Sequence, residues 1–286
     1  SDGTGVTQNH VKPGESYTYR FKAFRPGIFW FHPHMKPGHQ TFAGMYGAFI
    51  VRDPNETAMQ SARTIPGEGS THTVVLSDIE YDTPSVGVPV GEEGTVGYVI
   101  LGIAVPWSFL QDKCQNDPDI GAQKASCRTM ADGIRPLVNG RHPFDYDNPN
   151  QPFFFENIPT INAQSGEGIR LRLINPAVNR YFRLNVSGNG TDNNFYRIGG
   201  EGGFLEKVRL EGGMQGSWDT KYDKGEILLP ASGRADVVIV PTGNPGDIIT
   251  IRGVNYDRGG PAGINSPKPA GPLLQIKITG QPASNP

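Results

Sequence analysis

Three features that the sequence lacks exclude broad classes of protein. The 286 residues contain no stretch of 18 apolar residues, so the sequence predicts no membrane span. Lys and Arg form no basic stripe and the formal net charge is -2, which argues against a nucleic-acid partner. The N-terminus also lacks the charged and then apolar pattern of a signal peptide, and we expect a mature or truncated chain.

Cysteine is scarce. Cys114 and Cys127 are the two cysteines, and they lie 13 positions apart in a polar stretch. A disulfide between them would close a loop and restrict the unfolded chain, which favours a bridge over the alternative of two free thiols. Neither cysteine has a histidine nearby in the sequence, so a copper-thiolate site at this loop is less favoured.

Long runs of helix formers are absent, whereas the sequence has 38 Gly and 25 Pro. This composition predicts many short strands and turns, hence an all-β fold. The dipeptide Asn139-Gly140 predicts a tight hairpin turn, and the apolar run 99–105 fits either a strand or a buried helical turn. Alternating or β-branched runs predict strands over 16–23, 28–31, 45–51, 73–78, 153–158, 168–175, 181–186, 235–240, 249–252 and 273–278.

Alternation is clearest in 168–175 (GIRLRLIN). Because alternate side chains of a strand share a face, Arg170 and Arg172 are predicted to point outward. Arg183, on the next predicted strand, is likewise predicted to point outward.

The stretch 26–51 (PGIFWFHPHMKPGHQTFAGMYGAFIV) contains half of the six histidines. On an extended strand, His32 and His34 would point the same way with Cα atoms about 6.6 Å apart, a spacing that suits two metal ions better than one. A single histidine beside aromatic residues is more often a packed core residue. Two imidazoles flanking Pro33 would be unfavourable to bury without a metal, so the pair favours a metal site. His39 lies in a polar stretch and is predicted to be a solvated loop residue.

This stretch resembles the second of the four copper-binding segments of multicopper oxidases, in particular laccases and bacterial cuprous oxidases. Those proteins have an aromatic residue, His-x-His, a short loop, and a Gly-aromatic-Gly-apolar strand. The matching residues are Trp30, Phe31, His32, Pro33, His34, Gly44, Met45, Tyr46, Gly47 and Ala48.

The resemblance implies roles for three residues. His32 and His34 would each ligate a different copper of the dioxygen-binding type 3 pair. Asp2 stands 30 residues before His32, where the family has an Asp-Gly. Asp2 would therefore be an acid that hydrogen-bonds near the copper cluster and relays protons to reduced oxygen.

The resemblance also implies that further polypeptide is needed. The family's trinuclear cluster uses eight histidines, and its type 1 copper needs a His-Cys-His segment, which this sequence lacks. His10, His39, His72 and His142 fall in no paired motif. We expect the chain alone to bind copper weakly and not to turn over, with other segments supplying the remaining His-x-His and His-Cys-His ligands.

The implied architecture is two cupredoxin-like Greek-key β-sandwiches, one partial and one complete. Residues 1–54 would form the C-terminal half of the first domain, and 55–72 a linker. Residues 73–280 would form the second domain with an insertion at 83–129, and 281–286 a linker stub. The runs 168–175, 202–205 and 233–236 resemble that second domain, although Glu201 replaces the more usual Asp.

The implied activity is oxidation of a small reducing substrate, phenol-like or a metal ion, coupled to reduction of dioxygen to water. The family also implies a periplasmic or secreted location, and the sequons at Asn55, Asn185 and Asn189 are about as frequent as chance predicts. Two alternatives stay open. One is a copper nitrite reductase or two-domain oxidase, against which Pro33 counts; the other is a non-catalytic copper-binding cupredoxin pair.

Overall fold

The structure, a computed structural model, describes residues 3–35, 37–79, 98–100, 103–105, 135–141, 143, 158–178, 180–188, 194–254, 256 and 271–280. The predictions for Asp2, Cys114, Cys127, His142 and residues 153–157 concern positions outside these ranges. Strands dominate, and the helices are short: α1 (Pro37–Phe42), α2 (Glu56–Ser61) and a 3-10 helix (Glu68–Ser70).

The strands in chain order are β1 (Gly27–Phe31), β2 (Gly47–Val51), β3 (Thr71–Ile79), β4 (Tyr98–Ile100), β5 (Ile103–Val105), β6 (Arg135–Val138), β7 (Thr160–Gln164), β8 (Ile169–Ile174), β9 (Phe182–Ser187), β10 (Tyr196–Gly200), β11 (Gly203–Leu210), β12 (Met214–Gln215), β13 (Trp218–Asp219), β14 (Ile227–Leu229), β15 (Arg234–Ile239), β16 (Ile248–Val254) and β17 (Gly271–Gly280).

Two large sheets form a sandwich. One has six strands in the order β11-β10-β15-β8-β3-β6, and the other has five in the order β14-β9-β16-β17-β7. Most neighbours are antiparallel, whereas β3 pairs with β8 and β7 with β17 in parallel. Branched and aromatic side chains from both sheets meet in one buried core, including Leu171, Val237, Leu184 and Ile276. The apolar positions of alternating strands thus share one interior.

The tight turn predicted at Asn139-Gly140 is present, and it lies between β6 and Arg141. Asn139 and Gly140 have φ angles of +50° and +76°, the left-handed values that a type I′ turn needs. The Asn139 side chain also accepts a hydrogen bond from the Val75 backbone N–H at 2.8 Å. The described residues of the apolar run 99–105 lie in β4 and β5, which pair antiparallel, so the strand alternative is confirmed for them and the helical one is wrong.

Strand β8 differs from the prediction because both of its faces are buried. Arg170 and Arg172 are 2% and 6% exposed, so their outward assignment is wrong. The alternation correctly places the arginines and the apolar residues of β8 on opposite faces. Other parts of the chain cover the arginine face as well. Arg183 is half-buried and pairs with Glu226 at 2.6 Å.

Strands β1 and β2 pair with each other in a two-stranded antiparallel ribbon, in which Gly27 lies opposite Val51 and Phe31 opposite Gly47. Gly47 lacks the Cβ that would clash with the Phe31 ring. The ribbon rests on the six-stranded sheet, where Arg234 Nε donates a hydrogen bond to the Ile28 carbonyl at 3.1 Å.

The predicted strand over 16–23 is wrong. These residues carry no strand assignment, and Tyr17, Tyr19 and Phe21 are 48%, 46% and 72% exposed. The alternation is real, because the Tyr17 and Tyr19 rings contact each other edge to face at 4.7 Å. A strand also needs a hydrogen-bonded neighbour, and none of the residues that the structure describes provides one here.

Residues 55–72, predicted as a linker, contain α2 and the 3-10 helix, and Glu56 at the start of α2 is buried. The predicted domain boundaries stay a prediction. Among the described residues, no helix has the length and hydropathy needed to cross a membrane.

Gly27 should be intolerant of any side chain. Its φ is +150°, and a Cβ there would lie 2.7 Å from the Glu201 carbonyl oxygen. We expect Gly27→Ala to lower the free energy of unfolding by about 1–3 kcal/mol, measured by urea denaturation. Gly67→Ala is the control, since Gly67 has a negative φ and open space around it, and its effect should stay within about 0.5 kcal/mol. Equal effects of the two changes would contradict a close contact at Gly27.

Candidate metal centre

The two predicted ligands lie side by side. His32 and His34 follow the end of β1, and their Nε2 atoms are 3.3 Å apart. The ring centroids are separated by 4.6 Å. Trp30, on the same face of the chain, stacks on His32 at 4.3 Å with an interplanar angle of 21°. We call His32 and His34 the imidazole pair. Its His32 ring therefore packs against the aromatic ring of Trp30.

Hydrogen bonding orients His32 for metal binding. Its Nδ1 lies 3.0 Å from the Pro33 carbonyl oxygen, so Nδ1 carries the proton as donor and Nε2 keeps its lone pair. Burial lowers the pKa of His32, the nearby His34 lowers it further, and the contact with the Pro33 carbonyl raises it in part. The net reduction favours the neutral imidazole, which is the form that binds a metal.

The geometry fits metal coordination by both rings. A separation of 3.3 Å matches one edge of a tetrahedron of nitrogens at about 2.0 Å from a shared ion, and a small rotation lets each ring hold an ion of its own. Among the residues that the structure describes, no group of three or more His, Cys, Asp or Glu side chains is placed to hold a metal ion. The imidazole pair thus offers part of a coordination shell.

The other described histidines lie apart from this arrangement in the chain. His72 is half-buried on β3, where burial lowers its pKa and Glu167 opposes that change. His39 lies in α1, a short helix where a loop was predicted. His10 is exposed, near the N-terminus.

A buried charge cluster fixes the ribbon to the sandwich. Glu56 Oε1 contacts Arg172 Nη2 at 2.6 Å and Arg170 Nη1 at 3.3 Å. Arg170 in turn donates two hydrogen bonds to Asp236, at 2.8 and 2.6 Å, and its guanidinium lies over the Phe204 ring at 5.0 Å. We call Glu56, Arg170, Arg172 and Asp236 the charge cluster. It joins the segment that follows β2 to strands β8 and β15.

Sequence reasoning missed this cluster. Its signal was available: two arginines alternate with Ile and Leu on a strand rich in branched residues, which is the composition of a strand covered on both faces. Buried arginines need acidic partners, and Glu56 and Asp236 are acidic residues near or on predicted strands.

Tyr46 provides a second link between the two parts. Its hydroxyl donates a hydrogen bond to Ser77 Oγ on β3. Burial raises the pKa of Tyr46, the hydrogen bond to Ser77 lowers it in part, and the nearby Asp78 carboxylate raises it again. The phenol therefore stays protonated and keeps its role as a donor. This bond ties the chain between α1 and β2, downstream of the imidazole pair, to the sandwich.

The charge cluster should make the fold sensitive to acid. Burial by itself would raise the pKa of Glu56, but Arg170, Arg172 and Arg52 outweigh it and hold the pKa below the ordinary value of 4.5. A carboxyl group with a lower pKa in the folded state stabilises the fold fully above its unfolded pKa. That stability is lost as the pH falls through the folded-state pKa.

We therefore expect the free energy of unfolding to fall below about pH 4.5, and Glu56→Gln to remove part of this dependence. Urea unfolding of both proteins from about pH 7 to pH 3 measures it. Parallel pH profiles for the two proteins would refute the assignment to Glu56.

Comparison with known proteins shows what the chain is similar to. Residues 1–56, which include the imidazole pair, match the family model described as multicopper oxidase. The chain is 36% identical over 97 residues to multicopper oxidase VdtB of Byssochlamys spectabilis, an alignment covering 28% of this chain and 13% of that protein. It is 26% identical over 203 residues to multicopper oxidase MmcO of Mycobacterium tuberculosis, covering 65% and 32%. The chain is thus similar to multicopper oxidases, and its match to the family model lies in the segment that carries the imidazole pair.

The fold agrees with this family. The crystal structure of the McoA multicopper oxidase from Aquifex aeolicus matches with a TM-score of 0.63 at 20% identity, over 100% of this chain and 48% of that one. The expected all-β, cupredoxin-like fold is confirmed. The chain spans less than half the length of these multicopper oxidases.

Copper is the metal that the family implies, and the donors present fit it. Imidazole nitrogen binds copper readily. His32 and His34 each present Nε2 to the same space, and the hydrogen bond from His32 Nδ1 to the Pro33 carbonyl leaves that Nε2 available.

Proposed function

We propose that this chain supplies His32 and His34 as ligands of the type 3 copper pair in a trinuclear cluster. The whole oxidase would couple one-electron oxidation of a small reducing substrate, phenol-like or a metal ion, to four-electron reduction of dioxygen to water. The observation that supports this most is the 3.3 Å separation of the two Nε2 atoms within the segment that matches the family. Other segments, carrying His-x-His and His-Cys-His ligands, would complete the cluster.

When bound, copper supplies the one-electron redox chemistry that imidazole side chains lack. Other residues of this chain hold and orient the two histidine ligands. Pro33 restricts the backbone between the two ligands, and its carbonyl fixes the His32 tautomer. Trp30 covers one face of His32 and excludes water from it. Asp2 is proposed to relay protons to reduced oxygen, as the family resemblance implies.

Without the remaining ligands the chain should hold copper weakly and show no oxidase turnover. A two-imidazole site satisfies only part of the coordination that copper requires, and the substrate-oxidising type 1 site needs a His-Cys-His segment. We propose a periplasmic or secreted location on the basis of the same resemblance.

Mass spectrometry and terminal sequencing of the native preparation, combined with copper analysis, test this proposal. We expect polypeptide carrying the missing ligand segments to accompany residues 1–286, with copper and a blue absorption band in the assembled material. In that assembly, His32→Ala should lower the copper content, whereas His72→Ala should leave it unchanged. A copper-free, stable and monomeric chain found alone would instead support a structural role.

A further inference from the structure

A groove on the outer face of the six-stranded sheet is a candidate binding site. It encloses about 870 Å³, and small-molecule sites usually have volumes of about 300–1,000 Å³. Its floor consists of apolar side chains of β10, β11 and β15 that lie outside the sandwich core, including Ile198, Val208 and Val238. We call this space the sheet groove. His32 and His34 are not among the residues that line it.

Two short segments form the walls of the sheet groove, and they are bonded to each other. One segment is 63–70, from the end of α2 to the 3-10 helix, and the other is the turn between β7 and β8. Ser70 Oγ in the first donates a hydrogen bond to Glu167 Oε1 in the second. A Cβ placed on Gly168 would lie 3.4 Å from Pro66 Cγ, so the backbones approach closely as well. The groove is therefore formed before a ligand binds, which lowers the entropic cost of binding.

Among the described residues that line the sheet groove, Glu167 and Arg63 carry charge. The Glu167 carboxylate is already engaged, because Oε1 accepts the bond from Ser70 and Oε2 accepts one from the Gln164 backbone N–H at 2.9 Å. Arg63 is exposed, and it forms no ion pair with any acidic residue that the structure describes. The charge that remains available to a ligand is that of the Arg63 guanidinium.

The backbone at Arg63 is unusual for an arginine. Its φ angle is +55°, in the left-handed region. The N–H groups of Arg63 and Thr64 donate to the carbonyls of Gln60 and Met59 at 3.0 and 2.9 Å, which is the Schellman motif at the end of a helix. Glycine is usual at this position because it has no Cβ. An arginine here carries backbone strain that a glycine would avoid, which points to a use for its side chain.

We propose that the sheet groove binds an aromatic carboxylate, with its ring on the apolar floor and its carboxylate at Arg63. A sheet face of branched side chains offers a broad apolar surface to a planar ring, and Tyr196 on the same floor adds an aromatic contact. A guanidinium binds a carboxylate through two parallel hydrogen bonds. A neutral ring would leave Arg63 without a counter-charge, and a small anion without a ring would leave the floor uncovered.

This site does not depend on the proposed oxidase function. It needs neither copper nor the missing ligand segments, and none of its residues belongs to the imidazole pair or to the charge cluster. Failure of its test would leave the assignment of His32 and His34 intact.

The probe is naphthoate, a fluorescent aromatic carboxylate, titrated with the 286-residue chain and followed by fluorescence anisotropy. We expect saturable binding of one naphthoate per chain. Arg63→Gly should weaken binding by about tenfold or more without lowering the melting temperature, because glycine relieves the left-handed backbone while removing the guanidinium. Arg141→Gln is the matched control: Arg141 is also exposed but follows β6, at the opposite edge of the sheet from β11, and its change should leave binding unaltered.

Two ligand analogues separate the ring from the charge. Naphthylmethanol keeps the ring without the carboxylate, and acetate keeps the carboxylate without the ring, so each should bind the wild-type chain at least about tenfold more weakly than naphthoate. Val208→Asp tests the floor independently of Arg63. Val208 is 64% exposed, so the change leaves the core intact, and the added negative charge should weaken naphthoate binding by about tenfold or more. Absence of saturable naphthoate binding, or equal affinity in the wild-type chain, Arg63→Gly and Val208→Asp, would overturn the proposal.

Discussion

Replacing Glu56 with glutamine is expected to lower the free energy of unfolding by about 3–5 kcal/mol, which urea denaturation at neutral pH will measure. Glutamine keeps the size and shape of the side chain but removes its charge. Glu56 is 2% exposed and contacts two buried guanidinium groups, so Arg172 would lose its anionic partner at a buried position. An unpaired buried charge is far more costly than a lost surface ion pair.

Glu68→Gln is the matched control. Glu68 is also glutamate and also pairs with an arginine, Arg52, at 2.9 Å, but both side chains are substantially exposed. Exposed pairs contribute about 0.2–1 kcal/mol, so the control should fall within that range. Equal losses of stability in Glu56→Gln and Glu68→Gln would contradict a buried, tightly coupled cluster.

A double variant identifies the cause of the loss. If Glu56→Gln destabilises because it leaves Arg172 without a counter-charge, adding Arg172→Met should recover much of the stability. Methionine is unbranched and apolar, so it can replace the arginine stem and needs no charged partner. Additive losses in the double variant would mean that packing, and not charge, dominates at this position.

His34→Ala in the complete oxidase is expected to reduce the rate of oxygen consumption by roughly a thousandfold or more, equivalent to at least about 4 kcal/mol of activation free energy. Removing one imidazole takes away a proposed ligand of the type 3 pair. The blue absorption of the type 1 copper should persist, because that copper is proposed to be bound by a different segment. Oxygen uptake with an electrode and the visible spectrum of the same sample measure both effects.

His72→Ala serves as the control for this change. His72 is half-buried on β3 and outside any paired motif, so its loss should leave oxygen uptake close to the wild-type rate. The proposed ligand role of His34 would be wrong if His34→Ala kept turnover. If both turnover and the blue colour were lost, the variant would instead be misfolded. Circular dichroism of the variant tests for misfolding.

Much of the fold follows from patterns in the sequence. Branched and aromatic runs predict β1, β2, β8, β9, β15, β16 and β17 to within about two residues. Local chemistry also predicts the turn at Asn139 and Gly140, since both adopt left-handed backbone angles. These elements depend on properties that neighbouring residues carry by themselves.

The wrong predictions concern long-range partners. Alternation in 16–23 shows which side chains share a face, but a strand forms only where a second strand offers hydrogen bonds. Likewise, the pattern in β8 separates Arg170 from Leu171 correctly but does not reveal that α2 brings Glu56 onto the polar face. The acidic partner lies 114 positions from Arg170, a separation that no local period encodes.

The arrangement of His32 and His34 was predictable in the same partial way, and their role as metal ligands stays a prediction. The spacing of His32 and His34 places them together, whereas the 3.3 Å distance depends on rotamers and on β1 ending at Phe31. The hydrogen bond from His32 Nδ1 to the Pro33 carbonyl is also a product of that local bend.

The charge cluster should affect how the stability of the fold depends on salt concentration. The two guanidinium groups and two carboxylates of the cluster are 2–6% exposed, which leaves little room for dissolved ions between them. Arg52 adds a half-exposed guanidinium at 3.1 Å from Glu56 Oε1. Electrolyte weakens exposed pairs such as Arg52 and Glu68 while leaving enclosed ones nearly unscreened. The ion pairs that hold the ribbon of β1 and β2 to the sandwich should therefore depend little on salt concentration. His32 and His34 should keep the same position at high and at low salt.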